Sequence, residues 1–286
     1  MVGALRTKVR VIALTSSADR VASLRAKGCT PLVGNLDVPA TVRRLAGIAT
    51  RVVHLAPPPP QGWADPRTLA LVRALRMRSL PLAFVYGSTS GVYGDCAAQW
   101  VDETRAVQPD TPRARRRVHA EHSVRFLGRS SGVRSSVLRI PGIYAPDREG
   151  GTPRARLLKG TPVLNAEDDV YTNHIHADDL ARACTLALWR GRAQRIYNIN
   201  DDTCLKMGDY FDLAADLYQL PRPPRVPREG ATEQLPLMLL SFMSESRRMV
   251  NQRMKQELGL QLRYDTVTKG LTQVTQGADQ TVLGIL

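Results

Sequence analysis

Short apolar runs alternate along this chain with segments whose apolar positions recur every three to four residues. The first pattern reads as buried strand and the second as amphipathic helix, so the alternation predicts a parallel sheet with crossover helices. VRVIAL (9–14) is the first strand-like run, and a helix over 19–27 follows, closed by Gly28 where the chain needs a positive φ. A strand over 30–33, a helix over 39–46 and a strand over 51–55 come next, and APPPP (56–60) ends that strand because proline cannot continue a ladder. A helix over 69–78, a strand over 82–86, a Ser/Gly-rich loop, a basic helix over 113–127 and a strand over 136–140 complete the first half. The second half carries an apolar helix over 177–189, a short strand over 195–199 and a helix over 208–220. A stiff connector, PRPPRVPREG, then leads to a patterned helix over 237–258. The expectation is one doubly wound α/β domain over 1–150, with a smaller α+β lobe over 151–286 interleaved with its core.

Composition changes this picture little. The 286 residues are 43% hydrophobic, as expected of a globular protein with a real core. No run reaches the roughly 20 apolar residues of a membrane span, and the N-terminus shows no apolar stretch before a small-residue cleavage site. The cysteines Cys29, Cys96, Cys184 and Cys204 have no metal-ligand spacing and read as buried, reduced thiols in a cytoplasmic protein.

A formal charge of +14 is the one oddity. Arg outnumbers Lys by 34 to 6 and is spread along the chain, while aromatics make up only 5% and do not alternate with the basic residues. The expected partner is therefore a small-molecule substrate, with no specific nucleic acid and no membrane. A homodimer is compatible with the pattern.

Ligands of open α/β sheets sit beyond the carboxyl ends of the strands. Those ends carry Thr15-Ser16-Ser17, Asn35-Leu36, Leu55-Ala56-Pro57, Ser88-Thr89-Ser90 and Pro141-Gly142. Hydroxyls without strong charge suit a dinucleotide or a sugar better than a metal.

The stretches VVHLAPPPP, FVYGSTSGVYGD, VDETRAVQP, VLRIPGIYAP, NHIHADDLARA and RIYNINDD occur in an order that resembles the extended short-chain dehydrogenase/reductase superfamily, also called NAD-dependent epimerase/dehydratase. The tail SFMSESRRMVNQRMKQELG resembles an atypical bacterial branch of it. The resemblance implies a Rossmann-like fold and an oxidoreductase acting on a nucleotide sugar or a small carbonyl or alcohol. It places Thr15, Ser16 and Arg20 at the adenosine ribose, where neutral hydroxyls and an arginine suit the 2′-phosphate of NADP better than NAD. It places Asn35 and Leu36 at the adenine, Leu55, Ala56 and Pro57 on the adjoining wall, and Pro141 and Gly142 in the loop beside the nicotinamide. Thr89 would polarise the substrate oxygen, with Ser88 and Ser90 as near alternatives.

Two departures qualify that reading. Active members carry Tyr-x-x-x-Lys followed four residues later by Glu. Counting back from Glu121 puts Arg117 at the lysine position and Arg113 at the tyrosine position. A guanidinium stays protonated and cannot serve as a base, although Arg117 could still clamp a ribose or phosphate. Tyr144, and next Tyr93, are the substitute acid/bases that position suggests. The second departure is that the superfamily's first strand and glycine-rich phosphate loop have no counterpart before Val9; a start placed too far downstream is the preferred account. A catalytically inactive dinucleotide-sensing or scaffold protein of the same fold is the alternative function.

HIH (174–176) looks like a metal pair, but neighbouring residues of an extended segment point to opposite faces. The family resemblance implies that His176 with Asp178 and Asp179 is a helix start with an Asp cap, and no metal is expected. SESRR (244–248) reads as a capped amphipathic helix, with Glu245 and Arg247 as candidate cleft residues.

Overall fold

The computed structural model describes residues 9–146, 150–235 and 237–272. The expectations that concern residues before Val9 lie outside the described residues.

Four strands form the central sheet: β3 (Arg51–His54), β4 (Ala83–Thr89), β6 (Arg134–Ile140) and β11 (Arg195–Asn198), in the order β11-β6-β4-β3 and parallel throughout. The first two strands, β1 (Ile12–Thr15) and β2 (Thr30–Val33), pair in parallel with each other and form a separate sheet. Helices α1 (Arg20–Ala26), α2 (Pro39–Arg43), α3 (Pro66–Leu75) and α4 (Pro112–Ser131) are the crossovers of this half. The longest, α4, opens on a Thr111 side chain that accepts from the Ala114 N–H, has Pro112 in its first turn, and ends on Gly132 at φ 70°.

Small two-stranded pairings complete the second half, and the first two of them tie it to this frame. They join β5 (Trp100–Val101) to β14 (Arg248–Met249), β7 (Gly142–Tyr144) to β10 (His174–His176), β8 (Val163–Leu164) to β13 (Arg225–Val226), and β9 (Tyr171–Thr172) to β12 (Leu205–Lys206). The helices there are α5 (Arg154–Leu158), α6 (Ala177–Arg190), α7 (Met207–Tyr218), α8 (Arg228–Gln234) and α9 (Leu237–Met243).

Burial explains the arrangement. Val85, Leu138, Ile175, Cys184, Tyr197 and Met254 close one face of the central sheet beneath α6, and Leu71, Phe84, Ala120, Val124 and Val137 close the other beneath α3 and α4. A further core gathers Tyr144, Val163, Tyr210, Phe211, Met243 and Leu271 in the smaller C-terminal α+β region. The architecture is thus a Rossmann-like parallel α/β sheet with a smaller α+β region.

Several expected elements differ from the structure, among them the helices over 69–78 and 39–46, which are found at Pro66–Leu75 and Pro39–Arg43. Residues 237–258 are not one helix: α9 stops at Met243, β14 pairs with β5 across the molecule, and Met254–Leu258 form a single π-helical turn. Long-range pairing overrode a locally helical pattern. Strand β4 and helix α4 also run several residues beyond their expected bounds. Finally, Cys29, Cys96 and Cys184 are buried but Cys204 is exposed.

Candidate functional site

At the carboxyl ends of β4 and β6 lies a cleft of about 350 Å³. Its sheet-side wall is Thr89, Ser90, Gly91, Pro141 and Gly142, and Arg113 enters from the start of α4. The second half of the chain closes it with Arg156, the Tyr171–His174 strand region, Met207, Leu239, Glu245 and Arg247.

Backbone geometry sets the sheet-side wall. Strand β4 runs straight into a 3₁₀ turn, Ser90–Tyr93, whose first free N–H, that of Gly91, is taken by the Thr89 hydroxyl at 3.3 Å. The turn ends on Gly94 at φ 67°, where a side chain would collide with the Gln108 carbonyl. Both the conformation and the space at that position demand glycine.

The expected site residues fall into three groups. Thr89, Ser90, Pro141 and Gly142 meet in this cleft. Ser16, Asn35, Leu36, Leu55, Ala56 and Pro57 meet in a second cavity, about 580 Å³, between β1 and β3. The others lie on neither lining. The Ser88 hydroxyl donates to Glu121 at 2.6 Å, and Glu121 is in turn gripped by Arg139 at 2.9 Å, all three buried. Thr15 caps its own turn through Ser17, and Arg20 is exposed at the start of α1. Arg117 donates to the Tyr86 hydroxyl (3.1 Å) and the Gly87 carbonyl (2.7 Å).

Neither substitute tyrosine presents its hydroxyl to the cleft. Tyr93 is fully buried and donates to Asn198 Oδ1 at 2.7 Å, with the Arg139 guanidinium 4.6 Å from its ring. Tyr144 is 2% exposed and its hydroxyl points to the Thr266 carbonyl, 3.4 Å away. Burial pushes its phenol far above the ordinary range.

The four arginines that open α4 diverge. Arg113 is exposed to the cleft, Arg115 stacks 4.8 Å from the Trp63 ring, buried Arg116 donates to the Gly62 carbonyl, and Arg117 turns to β4. A run that is continuous in sequence is distributed around a helix in space.

Local sequence reading was least informative about the cleft's far wall. Glu245 and Arg247 do line it, but from a loop rather than a capped helix; they bond to each other at 2.8 Å, and Arg247 also donates to the Gly94 carbonyl. Arg156 and His174 went unforeseen, because RARLL and HIH carry no local signal for a cleft. The histidines also correct the two-face argument. His174 and His176 are two residues apart in a strand, so their side chains share a face, and both rings meet the Tyr144 ring edge-on. His176 itself caps α6 by accepting from the Asp178 N–H, while buried Asp179 accepts from the Arg263 and Tyr264 N–H groups. His174 stacks on Tyr210 at 4.1 Å, and burial pushes its pKa down to about 4, so its imidazole is neutral at pH 7.

The described residues fit a dinucleotide only in part. The cavity between β1 and β3 offers an apolar and amide-bearing wall for an adenosine. No glycine-rich turn among the described residues stands at its head to take a pyrophosphate.

A parallel Rossmann-like sheet carries a polar cleft beyond its carboxyl edge, and residues 4–200 match the NAD dependent epimerase/dehydratase family, to which this chain belongs. A conserved protein of unknown function from Silicibacter pomeroyi is 29% identical, with a TM-score of 0.80 over 97% of this chain and 94% of that one. UDP-glucose 4-epimerase from Thermotoga maritima, solved with UDP-glucose, gives 0.75 at 19% identity over 97% and 93%. A trifunctional UDP-glucose 4,6-dehydratase, epimerase and reductase from Arabidopsis thaliana is 26% identical over 161 residues, 54% of this chain. The match spans only 24% of that relative's length.

Proposed function

We propose that this chain binds a nucleotide sugar in the cleft at the ends of β4 and β6, without the tyrosine-dependent acid/base chemistry found in the active members that its sequence resembles. The observation that carries this is Arg113. It lines the cleft together with Thr89 and Glu245, while the Tyr93 and Tyr144 hydroxyls are engaged elsewhere. A protonated guanidinium holds an oxygen but accepts no proton from it. Thr89 and Ser90 orient the sugar hydroxyls, and the outcome is recognition: a sensing or scaffold protein of the family.

A second reading is favoured by Thr89, Ser90 and Glu245 standing together: an NAD(P)-dependent oxidoreductase acting on a nucleotide sugar or a small carbonyl or alcohol. Thr89 then polarises the substrate oxygen, Glu245 replaces the tyrosine as acid/base, and Arg117 supports the cofactor ribose from α4, beside β4. Thr15, Ser16 and Arg20 favour NADP over NAD. A bound dinucleotide would supply a hydride acceptor.

Calorimetry with UDP-glucose, NADP and NAD, on this chain and on one extended upstream in frame, tests both readings. UDP-glucose binding to both chains without turnover supports recognition. NADP reduction by the extended chain in the presence of a nucleotide sugar, abolished by Glu245→Gln, would put the oxidoreductase reading first.

A further inference from the structure

The histidines of this chain differ in what engages their rings. His54 meets the Thr68 hydroxyl through Nε2 at 2.9 Å, while His119 and His176 accept the Asp65 and Asp178 N–H groups through Nδ1. His174 lies on the cleft wall, is 8% exposed, and makes no ring hydrogen bond among the described residues. Packing fixes its plane: the ring stacks on Tyr210 at 4.1 Å and meets the Tyr144 ring edge-on. The two nitrogens therefore stand in different surroundings. Nδ1 is sealed from solvent with no partner. The opposite edge faces Gly142, because a carbon placed on Gly142 would lie 3.5 Å from His174 Cδ2, the ring atom bonded to Nε2. Gly142 lines the same cleft.

A neutral imidazole carries one N–H, and its two tautomers are not equivalent here. A proton on Nδ1 would be buried without an acceptor, whereas on Nε2 it can meet solvent or a ligand oxygen. Burial, which holds the pKa at about 4, keeps the ring uncharged at pH 7. We propose that His174 is a sugar-binding residue of the cleft, its Nε2–H donating to an oxygen of the bound hexose. The inference rests on the nucleotide-sugar reading above and adds to it a donor without charge. Gly142 belongs with Thr89 and Ser90 to the sheet-side wall, where that reading puts the sugar, so the contact falls on the hexose and not on the diphosphate.

Ring ¹⁵N spectra of the parent protein, assigned with His174→Gln, test the donor, and calorimetry with UDP and UDP-glucose tests the contact. At pH 7 the His174 proton should sit on Nε2, and UDP-glucose should shift that signal while UDP leaves it in place. His174→Phe, which keeps an aromatic ring against Tyr210, should weaken UDP-glucose binding roughly fivefold or more and leave UDP affinity within about twofold. His174→Gln, which restores an N–H donor, should recover UDP-glucose affinity to within about threefold of the parent. A proton on Nδ1 overturns the proposal, as does UDP-glucose affinity that His174→Phe leaves unchanged. Equal losses for UDP and UDP-glucose overturn it as well, since the ring would then only shape the cleft. Failure of the parent protein to bind either ligand brings down the nucleotide-sugar reading itself, and this proposal with it.

Discussion

Two parallel sheets of this molecule are built from similar sequence and end in different states. Strand β4 (AFVYGST) is buried at six of its seven positions and β6 (RSSVLRI) also at six. Strand β1 (IALT) has no fully buried residue, and neither has β2 (TPLV). Hydrophobicity does not separate them, since Ile, Leu and Val occur in both. Neighbours do: β4 is paired on both edges, and helices cover both faces of its sheet. Strand β1 pairs only with β2 among the described residues, and its other side borders the cavity shared with β3. Burial of a strand is conferred by its partners as much as by its own side chains.

The comparison can be broken by hydrogen exchange. Amides of β4 and β6 should exchange on the order of 10⁴-fold more slowly than those of β1 and β2, because the paired sheet opens only with global unfolding. Equal protection would mean that the two sheets form one cooperative unit. Truncation asks the same question through packing. Leu138→Ala should cost ~2–5 kcal/mol in denaturant unfolding, while half-exposed Leu32→Ala should cost less than ~1 kcal/mol.

Burial also shifts titration inside the packed region. Asp201, just beyond β11, is 1% exposed, and burial pushes its pKa up to about 7. Because the folded state holds that proton longer than the unfolded chain does, this contribution is complete below about pH 4 and is lost as pH rises through about 7. Asp201→Asn retains an acceptor for the Thr203 N–H. The variant's stability relative to the parent should therefore grow by ~2–4 kcal/mol between pH 4 and pH 8. A constant difference would show that Asp201 titrates normally. The smallest effect expected of a buried residue is at Tyr144. Removing its hydroxyl forfeits a long bond to the Thr266 carbonyl and a hydrogen bond with buried Asp201, so Tyr144→Phe should cost ~1–2 kcal/mol and leave UDP-glucose affinity unchanged. A large loss of ligand affinity would return Tyr144 to the site.

The difference between the two sheets also marks what the sequence could disclose. Strand β2 appears at its expected bounds, and β3 and β11 within one residue of theirs, because short apolar runs between turn residues define strands locally. The hydroxyls of Thr89 and Ser90 were legible for the same reason, each following directly from a strand end. Ser88 was not separable from them, since alternation along β4 turns it inward to Glu121. What escaped sequence reading depends on distant partners. Tyr144 is hidden by residues more than 120 positions later, β14 exists because β5 accepts it, and Arg156 reaches the cleft through the packing of α5. The arginine run was legible as a basic helix start, yet only the helix geometry shows which arginine faces the cleft.

Among the described residues one side of β1 and one side of β3 pair with no strand, which has a consequence for handling the protein at high concentration. Backbone donors and acceptors along a strand margin are templates for self-association, and chains commonly protect such margins with charge and proline. Here Arg10 precedes β1, Arg51 begins β3 with its guanidinium 5.1 Å from the Trp189 ring, and Pro57–Pro60 follow β3 after Leu55 and Ala56. These residues stand where gatekeepers against intermolecular β-pairing are commonly placed. Replacing Arg10 and Arg51 with uncharged β-formers should convert a dispersed protein into one that aggregates by strand addition, beginning at the half-buried margin and sparing the central sheet.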